Sequence, residues 1–191
     1  MLPRRCHSKL PSSRLCKIKP GSEVSAKAGE AHVTAATMHG LAYADLLAAI
    51  RFIAPYSGYP AAADALARLQ QVAAETGMDT SDLDELPVPG VVDAVLGRLD
   101  STDEWTTEFV DRQLSWAWSE DRLSMRERAI MALTSDVALR ALDESFRRHV
   151  EIALDAGLGK DGVRDVVRFC AEHGIARVAA ALRTLDNVLS A

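Results

Sequence analysis

The feature that most constrains this sequence is an internal repeat of a helical unit. Residues 32–54 align with 149–171, and residues 56–72 align with 172–188 once one proline is left out. Two copies of a unit that cannot bury its own apolar face are expected to pack against each other. The alignment contains 14 identical pairs, among them His32/His149, Gly40/Gly157, Arg51/Arg168, Phe52/Phe169 and Gly58/Gly174.

Apolar residues recur with helical spacing along almost the whole chain from residue 31. The alternating runs of β-branched and aromatic residues that are typical of strands do not occur. Ser124 and Glu127 have the spacing of a capping box, and Gly77 stands where a helix should end. The sequence therefore predicts an all-α helical bundle built from a tandem repeat.

Each copy contains a glycine turn between an Arg-Phe helix and an alanine-rich helix. Gly58 and Gly174 are predicted to join equivalent helix pairs, because glycine tolerates the positive φ that a tight reversal needs. The first turn also carries Tyr56 and Tyr59, which either cover the open side of the turn or line a pocket with their hydroxyl groups. Trp105, Phe109 and Trp116 share one helical face, which we expect to be core or a subunit interface.

Charge is distributed unevenly along the chain. Residues 1–30 hold seven basic and two acidic residues, a net charge of +5, so the total of −5 leaves −10 for the remainder. An acidic body argues against nucleic acid as the main partner. No apolar run reaches the roughly 18–20 residues of a membrane helix, so we expect no membrane partner.

The three cysteines, Cys6, Cys16 and Cys170, are too few and too irregularly spaced for a disulfide framework or a zinc site. Cys170 is predicted to be a small core residue in a reducing compartment. We therefore predict no metal, no cofactor and a cytoplasmic location.

The domain organisation follows from composition. Residues 1–30 form a basic head that is predicted to be disordered, with an organelle transit peptide as the alternative. Residues 31–77 are a partial first repeat, and residues 78–120 are an acidic linker followed by tryptophan-bearing helices. Residues 121–191 are a complete second repeat.

Two stretches resemble the carboxymuconolactone decarboxylase family, which includes alkylhydroperoxidase D-like proteins. The first is HVTAATMHGLAYADLLAAIRFIAPYSGYPAAADAL, and the second is FRRHVEIALDAGLGKDGVRDVVRFCAEHG with SMRERAIMAL upstream. The similarity covers about 32–72 and 121–190. It implies an alkylhydroperoxidase D-like fold, a small-molecule substrate and a homo-oligomer.

The resemblance also implies which chemistry is open to the chain. The peroxidase branch uses Cys-x-x-Cys with a histidine four residues later, but positions 142 and 145 before His149 are Leu and Ser. A dithiol is needed to resolve the sulfenate that forms on reaction with a peroxide, so peroxidase activity is not expected. The decarboxylase branch needs no cysteine and acts on a small lactone acid.

The candidate site residues follow from that branch. His149 and His32 are the predicted catalytic residues, because histidine can deliver a proton near neutral pH. Arg148 would hold a substrate carboxylate, and Tyr56 and Tyr59 are the other predicted substrate contacts. The sequence thus indicates a carboxy-lyase. The alternative, favoured by the incomplete first copy, is a non-catalytic scaffold or small-molecule-binding member of the family.

Overall fold

The computed structural model describes residues 33–81 and 103–190, and in these ranges the chain is helical without any β-strand. The predicted all-α fold is confirmed. A helical segment at 33–38 comes first. It is followed by α1 (Tyr43–Ser57), α2 (Tyr59–Thr76), α3 (Glu104–Trp118), α4 (Met125–Leu139), α5 (Glu144–Asp155), α6 (Gly159–Phe169), a 3₁₀ turn (Cys170–His173) and α7 (Ile175–Ser190).

Several helix ends lie where the sequence predicts them. Ser124 and Glu127 form a reciprocal capping box at the start of α4, and Gly77 ends α2 in the left-handed conformation with φ 68°. Pro55 lies inside the last turn of α1. A proline there removes only one backbone hydrogen bond, so the helix continues to Ser57.

The main core joins α1 to the C-terminal half of the molecule. Phe52 of α1 is fully buried with Trp118 at the end of α3, and both belong to the cluster formed by the apolar faces of α4, α5, α6 and α7. A smaller cluster packs α1 against α2 through Tyr43, Leu69 and Ala73. Cys170 is completely buried in the main core, as predicted.

One of the two roles predicted for the tryptophan-bearing helix is wrong. Trp105, Phe109 and Trp116 are 69%, 43% and 44% exposed, so the stripe is not core, and its alternative role as a subunit interface stays a prediction. Trp118, on another face of α3, is the buried ring. Thr107 and Ala117 are buried as well, so α3 turns one face toward the core and leaves the stripe exposed.

None of the helices in the described ranges is long and apolar enough to cross a membrane. The basic head at 1–30, His32 and the middle of the acidic linker lie outside the described residues.

Candidate functional site

A buried histidine and aspartate form the centre of the candidate site. His149 lies on the apolar stripe of α5 with Phe146, Val150 and Ala153, at the i, i+3, i+4 spacing that directs a helix face inward. Its Nδ1 is 2.7 Å from Oδ2 of Asp136 on α4, and both side chains are about 3% exposed. A buried carboxylate requires a donor, so Nδ1 carries a proton and donates it to Asp136.

Ser145 supports the same aspartate. Its hydroxyl donates to Oδ1 of Asp136 at 2.9 Å, while its oxygen lies 3.5 Å from Nδ1 of His149. With one donor on each oxygen, the Asp136 carboxylate is held in place between α4 and α5. This fixes the orientation of the imidazole and leaves Nε2 as the acceptor end of the ring.

Tyr56 of α1 meets that acceptor end. Its Oη lies 3.3 Å from Nε2 of His149, and Nε1 of Trp118 donates to the same oxygen at 2.7 Å. Because an indole N–H can only donate, the Tyr56 oxygen accepts from Trp118 and directs its own proton to His149. The result is a one-directional chain from Trp118 through Tyr56 and His149 to Asp136, which we call the relay.

Aromatic rings enclose the relay. Trp118 stacks over the His149 imidazole with centroids 5.9 Å apart and an interplanar angle of 17°, and Phe52 meets Trp118 edge-on at 5.2 Å. Burial raises the pKa of the Tyr56 phenol above its ordinary value, and the nearby Asp136 charge adds to this while the Trp118 N–H opposes it. Tyr56 therefore stays protonated at neutral pH and can act as a proton donor.

A cavity of about 300 Å³ adjoins the relay. Phe52 is common to both, because it lines the cavity and its ring also packs against Tyr56 and Trp118. His149 and Tyr56 do not line this cavity. The polar side chains in its wall are those of Arg51, Tyr59, Gln113 and Glu120.

The structure brings together two of the five predicted site residues. Tyr56 and His149 are in contact, whereas Tyr59 donates to Gln113 at the edge of the cavity. Arg148 pairs with Glu151 at 3.0 Å. His32 lies outside the described residues, so its predicted role stays a prediction.

Sequence reasoning missed Asp136, Trp118 and Ser145 as members of the site. Asp136 carried a usable signal, because it continues the buried stripe of Ala129, Ala132 and Leu133 on α4. An acidic residue on an apolar helix face needs a buried partner, and the histidine on the next helix is a natural one. Nothing in the local sequence pairs Trp118 with Tyr56, which is 62 residues away.

Two further observations bear on the chemistry of the site. Burial raises the pKa of the Cys170 thiol, which donates to the Val166 carbonyl oxygen at 3.3 Å, so the thiolate that attacks peroxides is disfavoured. Among the residues that the structure describes, no three histidine, cysteine, aspartate or glutamate side chains are grouped so that they could hold a metal ion.

No curated protein matches this sequence. The match to a family begins at the first residue of α3 and ends within α7, so it includes Trp118, Asp136 and His149 but not Tyr56. Residues 104–187 match the model of the carboxymuconolactone decarboxylase family, so this part of the chain is similar to a domain of that family.

Proposed function

We propose that this protein is a carboxymuconolactone decarboxylase-like lyase that acts on a small carboxylated or lactone substrate by proton transfer through His149. The observation that carries the proposal is the relay, in which Tyr56, His149 and Asp136 form one hydrogen-bonded chain. A relay of this kind can hold a proton and release it at a defined atom.

The reaction needs a proton at carbon. When a lactone acid loses CO₂, the bond to the carboxyl carbon breaks and its electron pair passes into the conjugated carbonyl system. The resulting enolate must then be protonated on carbon. Tyr56 is the member of the relay best suited to face the substrate, since it is only partly buried whereas His149 is almost fully enclosed.

The relay can supply that proton and recover it. If His149 takes up a proton at Nε2, the imidazolium is stabilised by Asp136 and donates to the Tyr56 oxygen. The phenol proton is then free to point outward to the enolate carbon. Tyr56 would touch the substrate, and Asp136 and Trp118 would act as positioning residues.

The predicted role of Arg148 requires that it contact two carboxylates. Its Nη1 pairs with Glu151, so a substrate carboxylate would share the guanidinium with that side chain. His32 stands at the position equivalent to His149 in the repeat, and a second acid–base role there is a proposal from the sequence alone. The tandem repeat, the homo-oligomer and the cytoplasmic location likewise stay predictions.

One observation favours a different function, that of a non-catalytic binding member of the family. Every polar atom of the relay already has a partner within the protein, and the relay is separated from the neighbouring cavity by Phe52. In a binding member of the family, a closed network of this kind would have the structural role of joining α1, α3, α4 and α5.

Turnover of a carboxymuconolactone in D₂O tests the proposal. We expect release of CO₂ and one deuterium at the protonated carbon of the product, seen by NMR and mass spectrometry. Tyr56→Phe and Asp136→Asn should each lower kcat by about 100-fold or more, the usual contribution of general acid–base catalysis.

Tyr43→Phe is the matched control, because Tyr43 lies on the same helix but packs in the smaller cluster. It should leave kcat unchanged. No CO₂ release from the native chain would favour the binding function, and full activity of Tyr56→Phe would remove the relay from the mechanism.

A further inference from the structure

We propose that the cavity beside the relay is a binding site for a small organic amine, which is held by the carboxylate of Glu120. This site goes beyond the proposed lyase function, because His149 and Tyr56 do not line the cavity. The inference depends on one buried acceptor, on the charge around it and on the shape of the surrounding wall.

The acceptor is the Glu120 carboxylate, which lies two residues after the end of α3. The side chain is 4% exposed, and its Oε2 is buried without a hydrogen-bond partner. The other oxygen, Oε1, accepts a long bond of 3.4 Å from the backbone N–H of Arg122. A buried carboxylate oxygen without a donor is costly, and a ligand that brings a donor recovers this free energy.

The charge around Glu120 favours a cationic donor over a neutral one. The C-terminal end of the α3 helix dipole places partial negative charge next to the Glu120 carboxylate. Arg128 adds positive charge nearby, but its guanidinium donates to the Trp118 carbonyl oxygen. The chain beyond residue 30 has a net charge of −10, which attracts cations to the molecule.

The wall of the cavity suits an amine with a compact apolar body. Phe52 and Ala117 form apolar wall, and the half-exposed rings of Trp116 and Tyr59 give access from solvent. Aromatic faces attract an organic ammonium ion through cation–π interactions. A volume of about 300 Å³ corresponds to roughly ten water molecules at ~30 Å³ each, which is enough for one aromatic ring with a short side chain.

Arg51 also lines the cavity and would repel an ammonium group. Its presence makes the charge preference of the cavity testable, because a carboxylate ligand would pair with Arg51 and be repelled by Glu120. The two charged residues therefore predict opposite ligand preferences and opposite effects of substitution.

Three probes that share one ring separate these cases: benzylamine, benzyl alcohol and benzoate. Binding to the full chain is measured by isothermal titration calorimetry and by tryptophan fluorescence, with Trp116→Phe identifying the signal from the cavity. We expect benzylamine to bind about tenfold or more tightly than benzyl alcohol, since bonds to charged groups are about twice as strong as neutral ones. Benzoate should bind most weakly.

Two variants assign the recognition to its residues. Glu120→Gln keeps the shape of the side chain and should weaken benzylamine binding about tenfold or more, whereas Arg51→Met should preserve or strengthen it. Circular dichroism and thermal unfolding confirm that both variants are folded. Tightest binding of benzoate, or equal affinity of Glu120→Gln and the native chain for benzylamine, would overturn the proposal, and so would no binding of benzylamine. None of these results bears on lactone turnover, so the two proposals fail separately.

Discussion

The two glycine turns of this molecule share a backbone conformation but differ in their surroundings. Gly58 and Gly174 both have positive φ, 90° and 117°, and each precedes an alanine-rich helix. Helices α3 and α4 pack against α1, and at the first turn Phe52 is fully buried and Tyr56 contacts His149. At the second turn Phe169 and Ile175 are each 75% exposed.

The difference shows that the backbone conformation of a turn and the burial of the side chains around it have separate causes. Phe52 and Phe169 are the same residue at aligned positions of the predicted repeat, yet only the first is buried. The glycine and the helix boundaries are local, whereas burial depends on which helix packs over the turn. Tyr56 is replaced by Glu172 at the second turn, and a charged residue suits a turn that faces solvent.

The largest expected difference between the turns is in side-chain packing. Phe52→Ala should lower the free energy of unfolding by about 3–5 kcal/mol, because it leaves a void between Tyr56 and Trp118. Phe169→Ala should change it by less than about 0.5 kcal/mol, since the ring is exposed. Urea unfolding of both variants measures this, and equal losses would show that the second turn is also covered in solution.

Removal of the Tyr56 hydroxyl should have the next largest effect on the free energy of unfolding. Tyr56→Phe leaves the Trp118 N–H without an acceptor and His149 Nε2 without a donor, which should cost about 1–3 kcal/mol. Tyr43→Phe on the same helix should cost less, because the structure shows no hydrogen bond from its hydroxyl among the described residues. Thermal and urea unfolding compare the two, and an equal cost would mean that the relay does not stabilise the fold.

Substitution of either turn glycine should lower the stability of the protein by a similar amount. Gly58→Val and Gly174→Val should each destabilise the protein by more than about 1 kcal/mol, the strain of a bulky residue held at positive φ. An added Cβ at Gly58 would be 3.9 Å from Pro60, and one at Gly174 would have no atom within 4 Å, so steric overlap adds little at either site. An unchanged melting temperature at one glycine would mean that its turn relaxes to another conformation.

Substitution of Cys170, which begins the 3₁₀ turn before Gly174, should have the smallest effect, because it should not change peroxidase activity. Its thiol is buried and its pKa is raised, so no dithiol-dependent turnover of an alkyl hydroperoxide is expected from the native chain or from Cys170→Ser. A coupled thioredoxin-type assay measures this. Turnover that disappeared in the variant would contradict the assignment of Cys170 as a core residue.

The parts of this account that follow from the sequence are the local ones. Helical periodicity, the capping box at Ser124 and the left-handed glycines are set by neighbours along the chain, and the structure confirms them. His149 and Tyr56 could be chosen as candidates because the repeat and the family resemblance single them out. Their contact depends on how α1 packs against α3 and α4, which no local pattern encodes.

The parts that could not be predicted depend on tertiary packing. Asp136 and Trp118 complete the relay from two other helices, and the burial of Glu120 Oε2 without a hydrogen-bond partner is likewise a result of packing. The predicted role of Arg148 in binding a substrate carboxylate rests on its position next to His149, but adjacent residues on a helix point about 100° apart. It therefore pairs with Glu151 on a different face.

The central claim is that Tyr56 of the first turn completes a directional relay through His149 to Asp136, and the protonation of the His149 ring tests it directly. Long-range ¹H–¹⁵N NMR of the ¹⁵N-labelled chain at a pH where the ring is neutral reports which nitrogen carries the proton. We predict a protonated Nδ1 and an unprotonated Nε2, whose resonance shifts in Tyr56→Phe but not in Tyr43→Phe. A proton on Nε2 in the native chain, or an Nε2 resonance unaffected by Tyr56→Phe, would contradict the relay.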